Sequence, residues 1–71
     1  MNIIIIDNSE GAVLINPVNI FFTGDGIDFY PASGDSLRVR WESEEKAEKE
    51  YSIFLAGLKT GKTVFTFESD V

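Results

Sequence analysis

One segment of this chain, Glu42 to about Thr60, repeats its apolar residues at helical spacing, while every other apolar run is short and strand-like. Ala47, Tyr51, Phe54, Leu55 and Leu58 fall on one face of that helix. Ser43 is suited to be its N-cap, and Glu44 and Glu45 place negative charge at the positive end of the dipole. Lys46 stands at the third helical position, so the full capping box is absent. Gly61 suits a left-handed stop. A lone amphipathic helix must bury its stripe on something else, and the remaining segments offer a sheet.

Asn2–Ile6 is solidly β-branched, which predicts a strand buried on both faces and central in its sheet. Asp7 to Gly11 reads as a turn, and Ala12–Ile15 as a second strand. Asn16-Pro17-Val18-Asn19 interrupts, because proline cannot donate to a ladder. Asn19–Thr23 and Ile27–Tyr30 flank Gly24-Asp25-Gly26, a hairpin signal that sets Phe22 against Ile27 and Ile20 against Phe29. Leu37–Trp41 alternates strictly, with Arg38 and Arg40 on the face opposite Leu37, Val39 and Trp41. That pairing predicts Phe29 beside Val39, Ile27 beside Trp41, and Asp28 near Arg40. Lys62–Phe67 closes the chain as a strand and Glu68–Val71 reads as a frayed tail. The expectation is an α+β fold: about five strands in a small curved antiparallel sheet, then one helix on one face, then a C-terminal strand.

Seventy-one residues make one domain, 1–71, with a marginal core. Cysteine and histidine are absent, which removes disulfides, thiolate metal sites and the commonest general base. Six Phe, two Tyr and one Trp must supply the packing, or self-association must help. The net charge of −6 argues against nucleic acid and anionic lipid as partners. The Ile3–Ile6 run is far too short to span a membrane, so a cytoplasmic location is the expectation.

The string Gly57-Leu58-Lys59-Thr60-Gly61-Lys62-Thr63 resembles a P-loop but has one residue too few between its glycines. It also closes a helix, where free carbonyls repel phosphate, instead of opening one. Asp25, Asp28 and Asp35 match no calcium-loop spacing. The glutamates between Glu42 and Glu50 read as a solvated helix face. No enzyme, cofactor or metal is expected from this inventory.

Three functional readings remain. The first is a non-enzymatic protein–protein interaction module, a homodimer or larger homo-oligomer, or one that binds another protein. Its contact residues are Ile53 with Phe65 or Phe67, and Phe21 on the sheet. Ile53 lies about 120° from the centre of the helix stripe at 100° per residue, and Gly57 on the same side permits close approach. The second is a single-stranded nucleic-acid-binding sheet using Phe21, Tyr30, Arg38 and Arg40, aromatic platforms flanked by guanidinium groups. In element order such a sheet broadly resembles the single-stranded-DNA-binding coactivator and Whirly-type domains; it carries no motif of theirs and is acidic where they are basic. The third is an acidic accessory or inhibitory protein acting through the Glu42–Glu50 surface.

Overall fold

The computed structural model describes residues 2–70. Six strands and one helix follow in the order β1 (Ile4–Asp7), β2 (Ala12–Ile15), β3 (Asn19–Phe22), β4 (Gly26–Tyr30), β5 (Leu37–Arg40), α1 (Glu44–Lys59) and β6 (Val64–Phe67). The fold is α+β, with the helix packed against strands.

The strands divide into two sheets where the sequence predicts one. The first has the order β2-β1-β6 and the second β3-β4-β5. Asn16 and Pro17 cause the division. Asn16 takes a left-handed φ of 53° and Pro17, which has no N–H, is buried, so β2 and β3 never form a hairpin. All pairs are antiparallel except β1–β6, which is parallel. The long connection through the helix allows that direction. β1 is indeed the central strand of its sheet, but Ile4 and Ile6 on its outer face are only half-buried.

The β3–β4 hairpin has the predicted register, with Phe22 opposite Ile27 and Ile20 opposite Phe29. In β4–β5 the register slips by two: Phe29 faces Leu37 and Ile27 faces Val39. A shift of two keeps every side chain on its face. Trp41 leaves the strand; its N–H donates to Asp25 O at 2.9 Å and its ring meets Phe67 edge-on, centroids 5.9 Å apart.

The inner faces of both sheets and one stripe of the helix share a core. Ile5, Leu14, Phe65 and Phe67 come from the first sheet, Ile27, Phe29, Leu37 and Val39 from the second. Phe54 sits among them, ring centroids 5.6 Å from Phe29, 4.8 Å from Phe65 and 5.9 Å from Phe67. Leu55, predicted in the stripe, is instead exposed at its edge.

The helix ends follow the sequence signals. Ser43 Oγ accepts from Lys46 N–H at 3.1 Å. At the other end Gly61 has φ 84°, its N–H donates to Leu58 O, and Lys62 N–H donates to Gly57 O. Those two bonds form a Schellman stop. The Gly61-Lys62-Thr63 string therefore ends a helix and begins a strand, and Lys62 Nζ lies 5.3 Å from the Phe65 ring centroid.

The tail, predicted to fray, is a strap as far as Asp70; Val71 lies outside the described residues. Ser69 N–H donates to Ser9 Oγ, and Ser69 Oγ both accepts from Arg40 N–H and donates to Arg40 O. Asp70 N–H donates to Arg40 O at 2.8 Å, and Lys46 Nζ donates to both Asp70 carboxylate oxygens at 3.0 Å. The Lys46 hydrogen bond, then that from Glu42 N–H, holds the Asp70 carboxyl below its usual value of 3.8. Because the folded value is the lower one, this linkage is fully present above about pH 4 and is lost as pH falls through the depressed value. Lys46→Met should raise the Asp70 midpoint toward the usual value in a carboxyl NMR titration, with the helix retained.

Candidate protein-interaction surface

Pairing in the first sheet aligns its outer face in two rows. Ile15, Ile4 and Val64 are neighbours in one; Val13, Ile6 and Thr66 in the next. None of the six is charged. Val13 is 60% exposed and Ile15 62%, with Val64 also open. The inner face alternates with it through Leu14, Ile5 and Phe65, so period two forces these aliphatic groups outward once their neighbours face the core. The one helix packs on the inner side, and nothing among the described residues covers the outer one.

Sequence reasoning missed this face because Ile3–Ile6 reads as a strand buried twice over. The usable signal was the match of three strands: Val13 and Ile15 flank Leu14, while Val64 and Thr66 flank Phe65.

The residues expected at the interface are split apart. Phe65 and Phe67 are 3% and 5% exposed and belong to the core, because parallel pairing sets them beside Ile5 and Asp7 on the inner face. They are not available to a partner in this fold. Ile53 and Phe21 are exposed, at 54% and 55%. They lie on separate surfaces, Ile53 on the helix and Phe21 on the outer face of the second sheet. Gly57 admits the chain's own Phe65: a Cβ there would stand 2.7 Å from Phe65 Cε1.

The outer face of the second sheet does gather Phe21, Tyr30, Arg38 and Arg40. Phe21 and Tyr30 meet edge-on with centroids 5.6 Å apart. Arg40, however, is committed to carboxylates: Nη1 donates to Asp28 Oδ1 at 2.6 Å and Nε lies 3.8 Å from Asp25 Oδ1. The hydrogen bond to the buried Asp28 raises the Arg40 pKa above its usual value. Two carboxylates beside two arginines leave this face without the positive field that phosphate binding uses. Of the Glu42–Glu50 surface, Glu42, Glu44, Glu45 and Glu48 are exposed, and Lys46 among them is tied to Asp70.

One buried polar group was not foreseen as such. Asp7 Oδ1 accepts from Ser9 N–H and Oγ–H, the expected turn geometry, but Asp7 is fully buried and its Oδ2 has no partner among the described residues. Among the described residues no group of three or more acidic side chains could hold a metal ion, and no helix is long and apolar enough to cross a membrane. Compared with protein-family models, curated proteins and solved structures, the chain has no significant match.

Proposed function

We propose that this chain is a small, non-enzymatic, self-associating interaction module that works through the outer face of the β2-β1-β6 sheet. The observation that carries the reading is the uncharged aliphatic patch of Ile4, Ile6, Val13, Ile15 and Val64 on a chain of net charge −6. Contiguous apolar patches of this kind mark contact sites. A second copy is the fitting occupant because the patch carries no charge of its own. Two acidic copies meeting there bring no carboxylate of the patch against another, whereas a basic partner would find nothing on it to pair with.

Light scattering or sedimentation across micromolar concentrations tests the reading. Wild-type protein should show a concentration-dependent dimer. Ile15→Lys should be monomeric over the same range and keep the thermal midpoint of the dilute wild-type monomer, since exposed substitutions away from special features usually stay within about 0.5 kcal/mol. A wild-type monomer throughout the range would sink the reading.

Salt gives a second check with a definite sign. The rest of the two surfaces repel, and salt screens that repulsion with a Debye length of about 10 Å at 0.1 M and about 3 Å at 1 M. Dimerisation should therefore tighten several-fold between those conditions. A complex held by opposite charges would weaken.

A further inference from the structure

The self-association proposed above has a definite geometry open to it, in which pairing along the edge of β2 sets the outer faces of two copies side by side. Asn16 N–H donates to Ile3 O at 2.8 Å, so Ile3 and Asn16 are a hydrogen-bonded pair of the antiparallel β1–β2 ladder. Such pairs alternate along a ladder. Leu14 and Ala12 therefore bond to β1, while Val13 and Ile15 turn their N–H and C=O groups away from it. Ile4 supports the same phase, since its N–H donates in the other direction, to Thr63 O at 2.8 Å. β2 is an edge strand, and no described residue pairs with the outward groups of Val13 and Ile15. Those two residues also carry the most exposed large apolar side chains among the described residues.

The other edges are flanked by other parts of the chain. Ser69 and Asp70 bond the Arg40 end of β5. β6 borders a groove whose opposite side is helix α1, with Lys46 and Glu50. The outward positions of β3 are Ile20 and Phe22; both side chains are turned to the core, and Phe22 stacks on Tyr51 at 4.7 Å. β2 borders a groove whose opposite side is the loop carrying Pro31, Ser33 and Asp35, with Leu37 at the start of β5. It lacks the charge or proline that commonly protects an edge.

We infer that a second copy of this chain adds its β2 antiparallel to β2, about a two-fold axis at Leu14, giving one continuous six-stranded sheet. The register follows from the donors. Val13 of one copy opposite Ile15 of the other is a pair that exchanges two hydrogen bonds, and symmetry repeats it, so all four outward groups on each copy are used. Moving the axis toward Ile15 would set Val13 against Pro17, which has no N–H to give. On the outer face the same register lays Val13 beside Ile15 of the second copy and joins the two aliphatic patches into one.

Amide hydrogen exchange of the wild-type protein tests this, measured by NMR at concentrations on either side of the dimer transition. The Val13 and Ile15 amides should slow about tenfold or more on dimerisation, while the Ile53 amide should not change. Dimerisation that leaves Val13 and Ile15 exchanging as in the monomer would overturn strand addition and leave the interaction-module reading standing; absence of any dimer would instead sink that reading itself. Because the chain has no cysteine, single-cysteine variants report cleanly. At the axis the two Leu14 Cα atoms would lie about 4.5 Å apart, within disulfide reach. The two Val13 Cα atoms, diagonal neighbours about 7–8 Å apart, fall outside it. Mild oxidation should cross-link Leu14→Cys and not Val13→Cys, and the reverse pattern would indicate stacked faces and overturn the inference.

Discussion

Phe54→Ala should leave the chain largely unfolded at room temperature, or within reach of unfolding by mild denaturant. Phe54 is 1% exposed, and from the helix it touches rings of both sheets, which also meet directly where the Phe29 ring centroid lies 5.8 Å from that of Phe67. Its edge-on contacts to Phe29 and Phe65 join the second sheet to the first, and Tyr51 flanks it on the helix at 6.5 Å. Removing a buried phenylalanine side chain costs about 3–5 kcal/mol, the spread depending on how far the site collapses. Here collapse is hindered because the ring lies between three separate elements. At about 0.05–0.15 kcal/mol per residue, 71 residues give a total stability of roughly 4–11 kcal/mol. The substitution thus removes a large share of it. Urea melts followed by far-UV circular dichroism read the result: a midpoint near zero urea is expected. A loss below about 1 kcal/mol would mean that the two sheets do not depend on this ring for their union.

Much of this architecture is legible in the sequence because local chemistry specifies it. Ser43 and Gly61 bracket the helix, and the glycines around Asp25 set the β3–β4 register, all through bonds made within a few residues. What could not be read depends on contacts far apart in the chain. The parallel partnership of β1 with β6 decides that Phe65 and Phe67 face inward and Val64 outward; alternation alone gives the two faces but not which is buried. The strap at Ser69 and Asp70 is invisible for the same reason, since its acceptors on Arg40 and Ser9 are 29 and 60 residues away. The candidate surface inherits this limit. An apolar face made of three strands, each with unremarkable composition, exists only once their pairing is known. Ile53 stood out in the sequence because a helix wheel is local; Val13 and Ile15 did not, because a strand of alternating partners needs its neighbours to show which side is free.

Gly26→Ala is expected to destabilise the protein by about 3 kcal/mol, at the upper end of overpacking costs. Replacing glycine by alanine at a compatible site ordinarily stabilises by about 0.4–1 kcal/mol, because the unfolded chain loses freedom. At Gly26 the sign reverses. A Cβ would stand 2.1 Å from Val39 O, 2.6 Å from Arg40 Nη1 and 2.8 Å from Arg40 Cδ. The arginine stem can swing aside, but the Val39 carbonyl is backbone. β5 would have to move away from β4, and that movement strains three linkages at once. They are the Arg40–Asp28 hydrogen bond, the Trp41 N–H to Asp25 O bond, and the strap held on Arg40. Gly34→Ala is the control. Nothing lies within 4 Å of its Cβ position, and its φ of 96° makes it a test of backbone conformation alone. That strain is worth about 1–2 kcal/mol. Chemical denaturation of both variants should therefore rank Gly26→Ala below Gly34→Ala, each with an unchanged denaturant slope. The Arg40 guanidinium should also lose its fixed position in the Gly26→Ala spectrum, since the close approach of β4 to β5 is what holds it over Asp28. Equal midpoints for the two variants would show that β5 can yield without cost, and that the β4–β5 contact is looser than the 2.1 Å approach requires.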